Sequence, residues 1–150
     1  MVRYVSGTKE LGITYRRDGA RNMEGYTDAD FASTIDERKS ITGVVTLLAG
    51  GPLTWMKQSM VALSTTEAEY MALSECCREV SWLRQLLLEM GLPQSDPTLE
   101  HEDNKQAIGL CLNHARNKHL EVKVHYIREK VALRQIVVEH VATAVNIATS

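Results

Sequence analysis

The hydrophobic positions of this chain follow a helical period in some segments and form short β-branched runs in others. The runs predict strands at about 11–15, 23–28, 41–49, 53–56, 98–103 and 136–141. A long helix is predicted over 65–90, a short helix over 104–112, and a further helix with the apolar stripe Leu120, Val124, Ile127 and Val131. This order favours an α/β domain in which helices cover a mixed sheet.

Glycine and proline mark the boundaries between these segments. Gly50-Gly51-Pro52 separates two strand-like runs and predicts a hairpin, and Asp18-Gly19 predicts a turn. Gly91, with Pro93 just beyond, predicts the end of the long helix. No repeat or linker interrupts the pattern, so one domain of 150 residues is expected.

Glu69 interrupts the apolar stripe of the long helix. At helical spacing its direction lies within about 60° of a set of hydrophobic positions. The set comprises Ala72, Leu73, Cys76, Val80, Leu83, Leu87 and Met90. An ionised carboxylate facing a core is unfavourable unless it is paired or bound to a metal. The alternative is that Glu69 emerges at the edge of the core, in a first turn where the helix dipole favours a carboxylate.

Glu67 has a structural explanation of its own. Ser64-x-x-Glu67 has the form of a capping box, with Ser64 as N-cap and Glu67 reaching back to its amide. At 100° per residue, Glu67 points about 160° away from Glu69. Glu67 is therefore predicted to cap the helix.

Two further acids occupy predicted strand ends. Asp28 ends the second strand in GYTDAD, and Asp103 follows the strand over 98–103 at the start of a short helix. Ligand sites in open sheets gather where strands end beside helix starts. Three carboxylates that converged there with Glu69 would repel one another unless cations lay between them, and we expect a separation within about 8 Å. The alternative is that Asp28, Asp30 and Asp103 are ordinary turn residues.

Composition and charge add limits to this picture. Hydrophobic residues make up 44% and charged residues 24%, with a net charge of −2, as in ordinary globular proteins. No apolar run approaches the roughly 18 residues of a membrane span. The three cysteines suggest no disulfide framework and fit a reducing compartment. Residues 113–135 carry six basic and two acidic residues, a segment suited either to phosphates or to a solvated helix face. Trp55 and Trp82 are expected to pack in the core or between helices.

Several stretches of the sequence resemble the ribonuclease H domain at the C-terminal end of copia-type retrotransposon polyproteins. They are RYVSGTKELGITYRR, GYTDADFAS, DERKSITGVV, VALSTTEAEYMALSE, EDNKQAI and NKHLEVKVHYIREKV. They cover almost the whole chain in the family's order. VALSTTEAEYMAL is a highly specific stretch, whereas DNKQAI alone would be a weak signal.

The resemblance implies an α/β, ribonuclease H-like fold with a five-stranded mixed sheet flanked by helices. It implies hydrolysis of the RNA strand of RNA–DNA hybrids, with Asp28, Glu69 and Asp103 as catalytic metal ligands. Asp30 and Glu67 are secondary candidates. Two Mg²⁺ ions are expected, and Mn²⁺ is expected to substitute for them.

The expected partners are an RNA–DNA hybrid and the reverse transcriptase portion of a Pol polyprotein, with no membrane association. The expected compartment is the cytoplasm, in a virus-like particle, or the nucleus. Some basic residues are expected to contact nucleic acid without sequence preference. They are Arg116, Lys118, His119, Lys123 and Arg128.

The C-terminal region departs from the family pattern. We expect one domain over 1–150, in which 1–20 continues from a reverse-transcriptase-like region and 141–150 is a truncated final helix. The family places a fourth metal-binding aspartate after a Leu-Ala or Ile-Ala pair, and here Ile147-Ala148 is followed by Thr149. A threonine hydroxyl is a neutral, poorer ligand for Mg²⁺, so the second ion is expected to bind weakly. The strand before Asp103 is also more polar than in the family.

Three functional hypotheses follow. The first is a metal-dependent ribonuclease of low activity, the second a catalytically silent module that binds hybrids, and the third a structural fragment that once braced a reverse transcriptase. A zinc site formed by Cys111, His114 and His119, with His101 or His125, is a weaker alternative because two of the usual thiolates are missing.

The position of Thr149 generates a first prediction. Thr149→Asp, with a few family-like residues added after Ser150, should lower the Mg²⁺ concentration needed for hybrid cleavage because it restores a charged ligand. A tenfold gain in rate would correspond to about 1.4 kcal/mol of transition-state stabilisation. Rates measured over a Mg²⁺ titration test this, and an unchanged metal dependence would show that Thr149 is not at a ligand position.

Overall fold

The computed structural model of the protein describes residues 2–16, 22–32, 39–112 and 121–149. These ranges contain a short N-terminal helix, five strands, three further helices and a 3₁₀ turn, in the order α1 Val2–Thr8, β1 Met23–Asp30, β2 Ser40–Leu48, β3 Gly51–Met60, α2 Thr65–Glu89, β4 Thr98–Glu102, α3 Lys105–Leu112, α4 Glu121–Ala132, β5 Ile136–His140 and the turn Thr143–Val145.

The five strands form one mixed sheet in the order β3-β2-β1-β4-β5. The β1–β2 and β2–β3 pairs are antiparallel, whereas β1–β4 and β4–β5 are parallel. The parallel half depends on crossovers through α2, α3 and α4, as parallel pairing requires. The predicted fold class is confirmed.

The predicted β2–β3 hairpin is present, with its loop at Ala49 and Gly50, one residue earlier than expected, so that Gly51 and Pro52 already belong to β3. Ala49 and Gly50 both have positive φ angles, of 53° and 77°, and this left-handed pair matches the twist of a two-residue hairpin loop. The antiparallel half of the sheet is thereby closed locally, before the chain enters α2.

Helix α2 begins and ends at capping residues. The Ser64 side chain accepts a hydrogen bond from the Glu67 amide at 3.1 Å, and the Glu67 carboxylate accepts one from the Leu63 amide at 3.2 Å. The predicted cap is therefore present. The Glu67 carboxylate, however, binds the amide of Leu63 and not the amide of Ser64 as predicted. At the other end Gly91 has a φ of 77°, and the Leu92 amide donates to the Leu87 carbonyl at 2.8 Å, closing the last turn.

The core lies between α2 and one face of the sheet. Its centre is formed by the buried side chains Met23, Val44, Tyr70, Leu73, Cys76, Val80, Leu83 and Ile136. Val124 and Ile127 of α4 join the same cluster, as the apolar stripe predicted. On β1 and β2 every second residue points into this core, because successive strand side chains alternate between faces.

Some sequence-based expectations were wrong. Residues 11–15 form no strand, although the Arg16 amide donates to the Ala49 carbonyl at the hairpin. Trp55 and Trp82 are not core residues, since they are 70% and 57% exposed. Among residues 141–149 the structure contains the 3₁₀ turn Thr143–Val145, a further turn at 147–148 and no α-helix. The predicted turn at 18–19 and Leu120 lie outside the described residues. No helix in the described ranges is long and apolar enough to cross a membrane.

Glu100 is an unusual core residue. It belongs to β4 and faces α2, its exposure is 0%, and neither carboxylate oxygen has a hydrogen-bond partner within the described part of the chain. A β-carbon at Gly25, its partner on β1, would lie 2.6 Å from the Cys76 sulfur and 3.5 Å from the Glu100 side chain. Burial raises the pKa of Glu100 well above its ordinary value. The folded state therefore favours the neutral acid.

A pH-dependent stability follows from Glu100. The pKa of Glu100 is higher in the folded state than in the unfolded state, where it is about 4.3. Its contribution to the free energy of unfolding is therefore complete below about pH 4.3 and is lost as the pH rises towards the pKa of the folded state. Over that range Glu100→Leu should gain stability over the wild type by about 1.4 kcal/mol per pH unit. Denaturant unfolding between pH 5 and pH 8 measures this difference.

The matched control is Glu139→Gln on the neighbouring strand β5, where the side chain is exposed. The difference in free energy of unfolding between Glu139→Gln and the wild type should not change with pH. A Glu100→Leu difference that also stays constant would mean that Glu100 is ionised in the folded protein.

Candidate metal centre

Three secondary-structure elements bring three carboxylates to one edge of the sheet. Asp28 lies near the end of β1, Glu69 in the first turns of α2, and Asp103 directly after β4. Because β1 and β4 are parallel neighbours, their carboxyl ends meet at the same edge. Helix α2 crosses the same edge with its N-terminal turns.

The three side chains form a tight cluster. One carboxylate oxygen from each of Asp28, Glu69 and Asp103 lies within 4.8 Å of the other two. This separation is inside the predicted limit. Glu69 is 5% exposed, so it does not emerge at the edge of the core, and the stripe on α2 is buried around it.

The electrostatics of the cluster oppose three negative charges. Burial raises the pKa of Glu69 to about 9, with further contributions from the charges of Glu102, Asp28 and Asp103. The pKa of Asp28 is also raised, first by burial and then by the charge of Asp103. The raised pKa values mean that ionising all three carboxyl groups together is unfavourable because they repel one another, and a bound cation would relieve this repulsion.

The donor set fits a hard divalent cation. All three donors are carboxylate oxygens, the ligand type that such ions prefer. The Glu69 Oε2 atom is buried and has no hydrogen-bond partner in the described ranges. A buried polar atom without a partner is costly, and coordination to a cation would satisfy it.

Glu102 lies directly behind this cluster. Its carboxylate accepts hydrogen bonds from the Thr27 hydroxyl at 2.7 Å and from the Asn104 amide at 3.0 Å. Burial is the first cause that raises its pKa to about 7, while these two hydrogen bonds oppose the rise. Sequence reasoning noted only that the strand is polar. The signal available was an acid at an inward position of a short strand.

The C-terminal segment is attached beside the cluster by polar contacts. The Thr143 hydroxyl donates to Asp103 Oδ2 at 2.6 Å, and the buried Asn146 side chain donates to the Thr27 carbonyl at 2.7 Å. The Asn146 Oδ1 atom also accepts from the Ala148 amide at 3.1 Å. Sequence reasoning missed both Thr143 and Asn146, because no motif marks them.

Gly43 allows this segment to approach the site closely. It pairs with Asp28 across β1 and β2, and a β-carbon at Gly43 would lie 2.7 Å from the Ala148 carbonyl oxygen. The backbone before Thr149 therefore passes next to the Asp28 strand position. Thr149 itself is exposed.

The other predicted residues lie outside the cluster. Asp30 is exposed at the end of β1, and Glu67 is used in the cap of α2. Of the zinc candidates, Cys111 is buried and donates to the Ala107 carbonyl, whereas His114 and His119 lie outside the described residues. Within the described ranges, the only group of three metal-ligating side chains is the carboxylate cluster.

Two of the basic residues predicted to contact nucleic acid have protein partners. Lys123 forms an ion pair with Glu75 at 3.1 Å. Arg128 donates to the carbonyls of Leu110 and Cys111 at 3.0 and 3.1 Å, at the end of α3. Arg116, Lys118 and His119 lie outside the described residues. The nucleic-acid role of all five stays a prediction.

Comparisons with known proteins agree with the fold and the sequence stretches. No family model matches the chain. It is 44% identical over 129 residues to the retrovirus-related Pol polyprotein from transposon TNT 1-94 of Nicotiana tabacum, covering 83% of this chain. It is 35% identical over 148 residues to the polyprotein from transposon RE2 of Arabidopsis thaliana, covering 95% of this chain. In each case the match spans only 10% of the polyprotein.

Solved structures share the fold at low sequence identity. LC11-RNase H1 in complex with an RNA/DNA hybrid gives a TM-score of 0.65 at 16% identity, over 84% of this chain and 89% of that one. The protease–reverse transcriptase of prototype foamy virus gives 0.53 at 14% identity, over 93% of this chain and 21% of that one. The fold is that of a ribonuclease H domain. The chain is a homologue of the retrovirus-related Pol polyproteins of copia-type transposons.

The cluster predicts metal-dependent stability. Mn²⁺ at about 100 times its dissociation constant should raise the free energy of unfolding by about 2.7 kcal/mol. Asp103→Asn should lose most of this increase because it removes one charged ligand. Without metal the variant should be at least as stable as the wild type, since the charge of Asp103 that helps to raise the pKa values of Asp28 and Glu69 is gone. Thermal and denaturant unfolding with and without Mn²⁺ measure both effects.

The matched control is Asp30→Asn, which changes an exposed acid near the same edge of the sheet. It should keep the wild-type response to Mn²⁺. An equal response in Asp103→Asn would contradict a metal site at this cluster.

Proposed function

We propose that this chain is a metal-dependent ribonuclease that hydrolyses the RNA strand of RNA–DNA hybrids. The observation that carries the proposal is the approach of Asp28, Glu69 and Asp103 to within 4.8 Å at the sheet edge. The ribonuclease H fold and the hybrid bound by the structural relative support the choice of substrate. The chain matches only 10% of the length of each polyprotein, so the proposed activity is that of this domain alone.

In this proposal Asp28, Glu69 and Asp103 hold Mg²⁺. When bound, Mg²⁺ would activate a water molecule and neutralise charge that develops on the phosphate. Asp103 is oriented for this role by the Thr143 hydroxyl, which donates to its Oδ2 atom. Glu69 projects from the buried side, where low solvent access strengthens its interaction with a cation.

We further propose that the second ion binds weakly. The described C-terminal segment presents Thr149 where the family resemblance expects an aspartate, so the second position would have few protein oxygens and more water. Mg²⁺ tolerates such positions because it usually keeps several waters. Activity at high Mg²⁺, or better activity with Mn²⁺, is the expected consequence.

Lys57 is an additional candidate for phosphate contact. It is exposed on β3 opposite Gly43, which in turn pairs with Asp28, so these residues share one face of the sheet. Lys57, Trp55 and Asp28 also line one cavity of about 160 Å³. A cation at this position would attract the backbone of a nucleic acid without reading its sequence.

A second candidate function is a catalytically silent module that binds hybrids. The observation that favours it is the neutral Thr149 at the position where the family resemblance expects an aspartate. Such a module would retain salt-dependent affinity for the hybrid, since phosphate contacts release counterions. It would show no cleavage at any metal concentration.

We also propose a reverse transcriptase portion as a partner, because the fold is similar to part of the foamy virus protease–reverse transcriptase.

The test is cleavage of an end-labelled RNA–DNA hybrid. The wild type should cut the RNA strand with Mg²⁺ or Mn²⁺ and be inactive with EDTA. Asp103→Asn should lower the rate at least about 100-fold, or about 2.7 kcal/mol, because metal-held charge provides most of the stabilisation. Duplex DNA should not be cut, since it lacks the 2′-OH.

Asp30→Asn is again the matched control and should cut at the wild-type rate. Wild-type activity in Asp103→Asn would point to a contaminating nuclease. Binding of the hybrid without cleavage in any metal would replace the proposal with the silent module.

A further inference from the structure

Glu102 is an acidic side chain fully buried at the end of β4. Its exposure is 0%, and it points to the same side of the sheet as Thr98 and Glu100. Both of its oxygens have partners. Oε2 accepts from the Thr27 hydroxyl on β1 at 2.7 Å, and Oε1 accepts from the Asn104 amide at 3.0 Å.

These two partners are the chain neighbours of two cluster residues. Thr27 directly precedes Asp28, and Asn104 directly follows Asp103. Glu102 therefore links the end of β1 to the turn that leads from β4 into α3. Asn104 also caps α3, since its side chain accepts from the amides of Gln106 and Ala107 at 2.9 and 3.1 Å.

The bridge lies where the backbone pairing between the two strands has stopped. The β1–β4 ladder runs from the pair Glu24 and Leu99 to the pair Tyr26 and His101. Asp28 and Asp103 lie two residues beyond its last pair. The ladder between β1 and β4 does not reach them, and the Glu102 side chain connects the two strands at this point.

We infer that Glu102 is a positioning residue, which holds Asp28 and Asp103 at ligand spacing through its hydrogen bonds to Thr27 and Asn104. The inference rests on the proposed function for the reaction that the site serves. The bridge itself is a property of the metal-free protein. Outer partners of metal ligands typically change metal affinity about 10- to 100-fold when they are removed.

The first experiment measures Mn²⁺ affinity by calorimetry. Glu102→Leu should bind Mn²⁺ about 10- to 100-fold more weakly than the wild type. Glu102→Gln should stay within about threefold, because its amide can accept from Asn104 and donate to the Thr27 oxygen. In that variant the Thr27 hydroxyl can donate to the His101 carbonyl, which lies 3.3 Å away.

Glu100→Leu is the matched control, since Glu100 is equally buried on the same strand and face but has no hydrogen-bond partner in the described ranges. It should bind Mn²⁺ like the wild type. Equal losses in Glu102→Leu and Glu102→Gln would overturn the inference, because the charge of Glu102 and not its hydrogen bonds would then matter. Unchanged affinity in Glu102→Leu would overturn it as well.

A pair of milder variants covers the case in which Glu102→Leu does not fold. Thr27→Val removes only the hydroxyl and should weaken Mn²⁺ binding about 2- to 10-fold, the usual range for one hydrogen bond. Thr27→Ser keeps the hydroxyl and should restore the affinity. Equal affinity in Thr27→Val and the wild type would overturn the bridge.

Crystal structures without metal separate this inference from the proposed function. In the wild type and Glu102→Gln, the nearest carboxylate oxygens of Asp28 and Asp103 should lie within 4.8 Å, as they do here. In Glu102→Leu they should lie further apart, and an unchanged separation would overturn the inference. If the wild type binds no Mn²⁺, the proposed function fails, and this separation alone decides the positioning role.

Discussion

The buried carboxylate of Glu69 is the constraint around which the edge of this domain is organised. Helix α2 packs its apolar stripe against the sheet, and that packing places the Glu69 side chain beside the ends of β1 and β4. Core packing is strong and leaves little freedom to move such a group away. The acids of the two strands therefore meet a carboxyl group that cannot move away, and burial together with these nearby acids raises its pKa to about 9.

The protein combines this buried carboxyl group with further acids on the buried side of β4. Glu102 has hydrogen-bond partners for both oxygens, whereas Glu100 has none in the described part of the chain. The two residues lie on one strand face, yet only the one next to the cluster is satisfied. An unsatisfied buried acid costs stability, while a satisfied one can order its surroundings. Burial of Glu100 thus lowers stability without forming a hydrogen bond in the described part of the chain, whereas burial of Glu102 is accompanied by hydrogen bonds that order the turn beside the cluster.

Much of the fold could be predicted from local sequence. The period of α2, its Ser64 cap and its Gly91 stop all depend on neighbouring residues, and the hairpin depends on glycines at the turn. The convergence of Asp28, Glu69 and Asp103 was expected from strand ends beside a helix start and from the family resemblance, whereas their spacing alone also allowed ordinary turn residues. The exposed Trp55 and the irregular segment 11–15 could not be predicted, because burial and strand pairing depend on which elements lie alongside.

The partners of the candidate site were also beyond sequence reasoning. Asn146 donates to the Thr27 carbonyl across a sequence separation of 119 positions. Glu102 accepts from the Thr27 hydroxyl across a separation of 75 positions. No local pattern encodes such contacts, since they depend on the register of parallel strands and on where that pairing ends. The charges of Lys123 and Arg128 are evident from their residue types, but the ion pair of Lys123 and the carbonyls that Arg128 contacts could not be predicted.

The attachment of the C-terminal segment has an evolutionary consequence. The Asn146 side chain bonds it to β1, and the buried Ala148 lies over Gly43, where a β-carbon would not fit. Most of residues 143–149 are exposed, with Asn146 and Ala148 as the buried exceptions, so substitutions at the exposed positions would disturb the sheet less than substitutions in its strands. Lineages that carry this domain could therefore alter the chemistry at the sheet edge through a few substitutions in this segment, while the scaffold and its three inner acids stay unchanged.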